Sequence, residues 1–360
     1  MNKIKQLKKY FSGSSRQRFL ANTGWIVSER IYQMLISLVV GVITARYLGP
    51  ANYGIINYAA SFIAFFSSIC TLGLEGIIVK ELVDNPEREG EILGSGILMR
   101  LASSALSMIA ILILISILNR NDTLMLVVAA LQSIALLFRS VDLIEFWYQS
   151  KLQSKYSSII KGIGYTIMSL YKVILLITRK SVEWFAFSTT VDSIVIAILF
   201  LYFYYRQGGK RFRFRLTTAK KLISQSYHFI LSGLIVVIYS HMDKVMIGQY
   251  LDEKQVGLYS AALTICNMWV FIPRAVINSA RPLIIKLKGQ NEDLYIRRLK
   301  QLYSSIWWMG IFFALGISVF SRLIVLILYG REYLASVPSL IIASWYTIFS
   351  VLGTARGIWI

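Results

Sequence analysis

The segment Tyr47-Leu48-Gly49-Pro50-Ala51-Asn52-Tyr53-Gly54-Ile55 separates two long apolar runs of the chain. A second segment, Tyr250-Leu251-Asp252-Glu253-Lys254-Gln255-Val256-Gly257-Leu258, also lies between two apolar runs. At a constant offset of 203 residues, the tyrosine, leucine and glycine at positions 47, 48 and 54 coincide with those at positions 250, 251 and 257. A repeat at a fixed offset predicts a fold built from two related halves. Chance similarity between short loops with apolar flanks is the alternative.

The composition indicates a membrane protein. Of the 360 residues, 56% are hydrophobic and only 16% are charged, whereas about 25% are charged in an ordinary soluble domain. This hydrophobicity also excludes intrinsic disorder. Stretches of about 20 mostly apolar residues, the length that crosses a bilayer as a helix, recur along the chain. We predict an all-α polytopic membrane protein with ten spans, at residues 24–47, 53–76, 97–118, 123–147, 157–178, 184–205, 226–250, 257–280, 302–328 and 338–360.

The repeat divides these spans into two pseudo-symmetric lobes. Residues 1–23 are a basic cytoplasmic tail, and residues 24–205 form an N-terminal lobe of six helices. Residues 206–225 are a basic cytoplasmic connector, and residues 226–360 form a C-terminal lobe with four spans. A second lobe equal to the first would end near residue 410 if the repeat were complete. We therefore expect the second lobe to be truncated, with about 10 of 12 spans present. A natural ten-span protein is the alternative.

The basic residues predict the orientation of the chain. With the N-terminus in the cytoplasm, 25 of the 38 Lys and Arg residues lie on the inner side and 8 on the outer side. Cytoplasmic loops carry such an excess in membrane proteins. Because the charge follows the alternation of the loops, the net charge of +20 does not indicate a nucleic-acid partner. In the stretch 210–215 (Lys-Arg-Phe-Arg-Phe-Arg), two interpretations stay open: a topology signal, or a contact with anionic lipid headgroups.

Five basic residues are predicted to lie within the spans. A charge at bilayer depth is costly, so it is normally paired or faces water. These residues are Arg30, Arg139, Lys172, Arg274 and Arg356. The carboxylates Asp142 and Asp192 are candidates for ion coupling, because burial brings a carboxyl group closer to protonation. Arg139 and Asp142 are three residues apart on one helix face, so an intrahelical pair is the alternative for both.

The sequence carries no signature of a cofactor or metal enzyme. Its two cysteines, Cys70 and Cys266, lie in apolar runs, and there are only two histidines, His228 and His241. No metal-ligand spacing, Walker loop or nucleophile–base pair is apparent. We expect a protein without a metal or a cofactor that is not an enzyme.

Several motifs resemble one known family. Ala45-Arg46-Tyr47-Leu48-Gly49-Pro50, followed by Tyr53-Gly54, resembles the first outer loop of the Wzx-type polysaccharide and O-antigen flippases. These belong to the multidrug/oligosaccharidyl-lipid/polysaccharide exporter superfamily. The segment 243–248 (Asp-Lys-Val-Met-Ile-Gly), with 256–262, resembles the matching stretch of their second lobe. The segments 146–149 (Phe-Trp-Tyr-Gln) and 355–359 (Ala-Arg-Gly-Ile-Trp) add weaker similarity.

This resemblance implies two six-helix lobes around a central cavity that opens to each side in turn. The implied substrate is an oligosaccharide on undecaprenyl pyrophosphate, moved from the inner to the outer leaflet of the bacterial inner membrane. The five cations at 30, 139, 172, 274 and 356 are then candidates for binding the pyrophosphate, because arginine contacts two phosphate oxygens at once. Implied partners are the lipid bilayer, a polysaccharide polymerase and a chain-length regulator.

Two other functions stay open. A cation-coupled exporter of drugs or small molecules from the same superfamily would need acidic groups in its cavity, and the basic residues are more prominent here. A membrane-embedded glycan-assembly enzyme would generally need an acidic sugar-nucleotide site or a large outer loop, and the outer connectors are short.

Overall fold

The computed structural model describes residues 13–119, 122–288 and 290–356, without the side chains of residues 13–23 and 282. Helices account for most of the described residues. They are α1 (Gly13–Cys70), α2 (Glu75–Asp84), α3 (Glu89–Leu118), α4 (Thr123–Ser133), α5 (Ala135–Phe138), α6 (Leu143–Ser150), α7 (Ser154–Ile177), α8 (Val182–Arg206), α9 (Leu216–Tyr250), α10 (Glu253–Leu287), α11 (Glu292–Leu328) and α12 (Val337–Arg356). Short 3₁₀ turns occupy Pro86–Arg88, Arg139–Asp142 and Arg331–Ser336.

Nine helical stretches in the described residues are long and apolar enough to cross a membrane. The first, Gly24–Asp84, has 61 residues, whereas about 20 suffice for one crossing. It contains two predicted spans, which join inside α1 at Gly49. Gly49 has a φ of 69°, a left-handed conformation that favours glycine, and Pro50 then starts the next helical segment. The prediction of an all-α polytopic membrane protein is therefore confirmed.

The predicted fourth span is interrupted. Residues 123–150 form one candidate crossing, but α4, α5 and α6 follow one another with a 3₁₀ turn at Arg139–Asp142 between the last two. A 3₁₀ stretch within a helix often marks a hinge or a functional site. Two residues that the sequence singled out, Arg139 and Asp142, are the ends of this turn.

The contacts divide the chain into two compact units. Unit 1 comprises residues 1–44 and 55–250, and unit 2 comprises residues 45–54 and 251–360. This division differs from the predicted lobes, which placed the seventh span in the second lobe. The start of α9 is held in unit 1 by ion pairs, because Lys221 contacts Glu81 at 2.7 Å and Arg215 contacts Glu91 at 3.7 Å.

Several of the largest buried side chains of unit 1 pack in one core cluster. Trp147, Tyr148, Phe200 and Tyr204 lie there with leucine and isoleucine side chains of α2, α3, α6 and α9. Residues 207–215, which we call the strap, connect α8 to α9 without helical structure, and Phe212 of the strap packs against this core. The Arg213 amide donates a hydrogen bond of 2.9 Å to the Gly90 carbonyl oxygen. At Gly94, a Cβ atom would lie 2.6 Å from the backbone of Arg213, so α3 needs glycine there.

In unit 2, the two repeated segments pack against each other. A Cβ atom at Gly54 would overlap the carbonyl oxygen of Glu253, and one at Gly257 would overlap the carbonyl oxygen of Pro50. Pro50 and Glu253 are also 203 residues apart, so each half of the contact repeats the other. A two-fold relation between similar segments produces this reciprocity. The Tyr333 hydroxyl, which is buried, donates a hydrogen bond of 2.7 Å to the Ala45 carbonyl oxygen and holds the first segment in the unit.

Candidate substrate cavity in the first unit

Unit 1 encloses a polar cavity of about 360 Å³ among its helices. Charged and hydroxyl side chains from α1, α2, α3, α6, α7, α8 and the 3₁₀ turn converge on it. Its polar lining consists of Gln33, Ser67, Thr71, Glu75, Arg100, Ser104, Arg139, Ser140, Asp142, Glu145, Lys161, Tyr165, Asp192 and Ser193. Such groups are expensive within a membrane unless they are paired or meet water or a ligand. This cavity is therefore the candidate functional site of unit 1.

Three cations of the cavity have different surroundings. Lys161 forms an ion pair of 2.7 Å with Glu145, which neutralises both charges. Arg100 is 7% exposed, and the charges of Asp142 and Glu75 attract it. Arg139 is half-buried. Two guanidinium groups therefore face the cavity alongside carboxylates, and they suit a ligand with both anionic and hydroxyl groups.

The 3₁₀ turn brings Arg139 and Asp142 to the cavity, but it does not pair them. The ion pairs in the described part of the chain leave both out. Instead, the charge of Asp142 is influenced by Arg100 and Arg139 together. The intrahelical ion pair that the three-residue spacing allowed is therefore not formed in the described residues, and α3 supplies Arg100 as a second cation near Asp142.

Asp192 and Lys172 form a second electrostatic group beside the cavity. Asp192 lines it, and the charge of Lys172 on α7 attracts Asp192 on α8. One carboxylate oxygen of Asp192 is buried and has no hydrogen-bond partner in the described part of the chain. If Gly164 carried a Cβ atom, that atom would lie 4.0 Å from this oxygen. The closer contact at Gly164 is with Ile196 of α8, whose Cγ1 atom would lie 2.8 Å from that Cβ atom, so glycine lets α7 and α8 approach each other here.

A larger and more apolar cavity of about 770 Å³ also lies in unit 1. Ser67, Thr71 and Arg139 line both cavities. The remaining wall is mostly apolar, with Ile63, Phe229 and neighbouring side chains of α1 and α9. Arg139 thus lies where a charged compartment meets an apolar one, which is the arrangement that an amphiphilic ligand needs.

The other predicted cations lie outside these cavities. Arg30 is exposed on α1, beside the half-buried Glu29. In unit 2, Arg274 is exposed on α10, directly after Pro273. Arg356 is exposed at the end of α12 and lines a surface pocket of about 460 Å³ with Lys300 of α11.

Sequence reasoning missed two cations of the cavity. Arg100 and Lys161 count as inner-side residues in the charge prediction because they lie within the first five residues of the predicted spans 97–118 and 157–178. The helices begin earlier, at Glu89 and Ser154. Arg100 therefore lies eleven residues into α3, about 16 Å along its axis at 1.5 Å per residue. Pro86, which opens the turn before α3, was the available signal, since proline favours the first turn of a helix.

Comparison with known proteins places this arrangement in a family. The family model described as "Polysaccharide biosynthesis protein" matches residues 19–288, which include every residue of both cavities of unit 1. The chain belongs to the polysaccharide biosynthesis protein family. This family member is also 27% identical over 143 residues to "Probable flippase AglR" of Haloferax volcanii, an alignment that covers 40% of this chain and 29% of that protein. The match thus spans less than a third of that relative's length.

Solved structures confirm the fold of this family member. It is similar to an inward-facing multidrug resistance MATE family transporter of the MOP superfamily, with a TM-score of 0.65 and 15% identity over 91% of this chain and 79% of that one. An outward-facing structure of a MATE family transporter of the same superfamily gives a TM-score of 0.64, with 14% identity and 95% and 80% coverage. A mutant of the VcmN MATE transporter of Vibrio cholerae gives 0.53, with 11% identity and 96% and 87% coverage.

The chain is therefore a member of the polysaccharide biosynthesis protein family that has the fold of MATE family transporters. The family resemblance seen in the motifs is confirmed by this match. The substrate does not follow from the fold, because one fold supports many functions.

Proposed function

We propose that this protein moves an undecaprenyl-pyrophosphate-linked oligosaccharide, of the O-antigen or capsule type, from the inner to the outer leaflet of the bacterial cytoplasmic membrane. Transport proceeds by alternating access between two six-helix lobes, with the N-terminus in the cytoplasm. Membership of the polysaccharide biosynthesis protein family supports this class of substrate. A polysaccharide polymerase and a chain-length regulator are the expected partners.

One observation carries the proposal: Arg139 lines both the polar and the apolar cavity of unit 1. A lipid-linked oligosaccharide has a pyrophosphate between a sugar chain and an apolar tail. Within a low-dielectric membrane, the pyrophosphate needs fixed cations to replace its water. Arg139 and Arg100 supply guanidinium groups, which can each contact two phosphate oxygens.

The carboxylates of the polar cavity fit the sugar part of the same substrate. Sugar hydroxyls donate as well as accept hydrogen bonds, and carboxylates are the acceptors that match their donors. Asp142 and Asp192 lie in the same cavity as the two arginines. We propose that Asp142 and Asp192 also take part in ion coupling. Lys172, Arg274, Arg356 and Arg30 are proposed as further cations along the substrate path.

A cation-coupled exporter of small organic molecules is the second candidate. The polar cavity contains Glu75, Asp142, Glu145 and Asp192 against three cations, so its acidic content is higher than the sequence indicated. Such an exporter needs carboxylates that exchange a proton or a metal cation with the substrate. The two candidates differ in whether the arginines or the carboxylates are required for binding.

The test uses the full chain reconstituted into liposomes with a lipid-linked oligosaccharide, and it measures how fast the sugar becomes accessible to a lectin outside. We expect Arg139→Gln and Arg100→Gln to lower the rate at least about tenfold, because each leaves a phosphate charge without its partner. Arg139→Lys should retain more activity than Arg139→Gln. Arg274→Gln and Arg356→Gln, assayed alongside, test the proposed cations of unit 2.

Lys254→Gln is the matched control, since Lys254 is an exposed cation at the start of α10. All variants are compared at equal amounts of folded protein in the liposomes. Parental rates in both Arg139→Gln and Arg100→Gln would overturn the proposal. Gradient-driven export of a lipophilic organic cation that Asp142→Asn abolishes, without any lectin signal in the parent protein, would establish the second candidate.

A further inference from the structure

The strap presents basic side chains that the fold does not use for packing. Its backbone is held from several sides: the Lys210 amide donates to Glu89 at 3.0 Å, and the Tyr204 hydroxyl donates to the Lys210 carbonyl oxygen at 2.7 Å. The Phe212 ring stacks on Tyr204 with centroids 5.0 Å apart. Because main-chain groups and Phe212 fix the strap, the guanidinium groups of Arg211 and Arg213 remain exposed.

These two arginines differ from their basic neighbours. Arg215 and Lys221 contact Glu91 and Glu81, and the Lys210 ammonium donates to the Glu87 carbonyl oxygen at 2.8 Å. In the part of the chain that the structure describes, no ion pair involves Arg211 or Arg213. Their charge is therefore available to a ligand.

A groove of about 260 Å³ lies directly beside this charge. Its floor is formed by Gly94, Ile97, Leu98 and Leu101 of α3, and Phe212, Arg213 and Phe214 of the strap form its rim. Leu98 and Leu101 are 48% and 41% exposed, and they belong to a helix that is long and apolar enough to cross the membrane, so we expect this face to meet lipid. Phe214 is 51% exposed, as expected for an aromatic ring at a membrane interface.

We propose that this groove binds one anionic phospholipid of the surrounding leaflet, with its phosphate at Arg213 and an acyl chain along Leu98 and Leu101. The basic rim and the apolar floor together favour a phospholipid as the occupant. A soluble phosphate could bind the arginine but would make no contact with the exposed leucines. Basic segments next to a membrane attract anionic lipids in this way. The site lies in unit 1 and is independent of the transported substrate.

The experiment is native mass spectrometry of the full-length protein in detergent, titrated with phosphatidylglycerol or with phosphatidylcholine of the same chain length. We expect the parent protein to retain one phosphatidylglycerol more tightly than phosphatidylcholine. Arg213→Gln should weaken that binding about fivefold, since one basic residue near the surface contributes about this factor. Arg213→Lys should keep most of it. The backbone contacts of the strap do not depend on the Arg213 side chain, so these variants should fold.

Arg331→Gln is the control, because Arg331 is an exposed cation in a 3₁₀ turn of unit 2. Equal phosphatidylglycerol binding by the parent and Arg213→Gln would overturn the proposal, as would an equal loss in Arg331→Gln. Competition by inorganic pyrophosphate without any preference for phosphatidylglycerol would show an anion site instead of a lipid site. Phe214→Ala provides a second variant, which should weaken binding without a change in charge.

Discussion

The charged residues within the membrane-spanning helices fall into two groups according to their partners. Lys161 and Glu145 form a direct ion pair, so their position within the membrane requires no ligand. Arg100, Arg139 and Asp142 line the same cavity without a close ion pair in the described residues. Holding such charges together costs free energy that a purely structural role would avoid by direct pairing. The unpaired group is therefore where a ligand would gain most from binding.

Lys172 and Asp192 allow a test that separates a structural pair from a binding site. If their attraction is structural, Lys172→Ala leaves a buried carboxylate without its nearby cation and lowers the unfolding temperature in detergent. Adding Asp192→Asn removes that carboxylate charge, so the double variant should recover part of the loss. We expect a coupling free energy of about 0.5–3 kcal/mol. If the losses of stability from the two single changes simply add in the double variant, the two residues do not interact. Lys172 would then be available to bind the substrate.

At the scale of the helices, three local features place the cavity. The left-handed Gly49 and the following Pro50 end one crossing and start the next within α1. The 3₁₀ turn at Arg139–Asp142 breaks the crossing that starts at α4. Glu89, which is buried, accepts hydrogen bonds from Trp147 at 2.9 Å and from the Lys151 ammonium at 3.2 Å. This last contact ties the start of α3 to the end of α6 and thereby fixes the helix that carries Arg100.

The contact between the repeated segments predicts the effect of adding one methyl group. Gly54→Ala or Gly257→Ala places a Cβ atom onto a carbonyl oxygen of the opposite segment. We expect each change to destabilise the protein by about 1–3 kcal/mol, because the contact is between backbones that cannot yield as a side chain does. Thermal unfolding in detergent measures the loss.

Gly353→Ala is the matched control for this prediction. Gly353 also lies in a helix of unit 2, and a Cβ atom there meets nothing within 4 Å. Alanine is favoured over glycine in a helix by about 1 kcal/mol, so this variant should be as stable as the parent or more stable. Parental unfolding temperatures for both Gly54→Ala and Gly257→Ala would contradict the reciprocal contact.

At the scale of the whole molecule, the distribution of charge predicts the orientation. Arg100 and Lys161 belong to the cavity and leave the inner-side count, which falls from 25 to 23 of the 38 basic residues, against 8 on the outer side. The excess of basic residues on the inner side therefore remains after these two are removed. It remains because most inner-side cations, including those of the strap, lie in connectors and at helix ends, where the positive-inside rule applies.

Reporter fusions in bacterial cells measure this orientation. A fusion after Arg179, in the turn between α7 and α8, should report the outer side of the membrane. A fusion after Lys210, in the strap, should report the cytoplasm. The opposite result at both positions would reject the predicted topology, whereas a fusion after Lys151 gives an independent inner-side check.

The pattern of apolar runs, the turn residues and the 203-residue repeat were sufficient to predict the helical membrane fold, and the resemblance of the loop motifs indicated the family. They were sufficient because the length of a span and the residues that end it are local properties of the chain. The repeat marked Gly54 and Gly257 as equivalent before any contact was known. The helix boundaries were less well predicted, since a helix such as α3 extends beyond its apolar stretch.

Only the tertiary structure decided which charges meet. Arg100 of α3, Arg139 of the 3₁₀ turn and Asp192 of α8 are far apart in the sequence, and they line one cavity because of how the helices rotate and pack. A hydropathy pattern specifies that a helix crosses the membrane but not which neighbour each of its faces meets. The neighbours of each face depend on packing between helices. This packing places Arg100 and Lys161 in the candidate site, although the sequence indicated inner-side cations. It leaves Arg274 and Arg356 exposed.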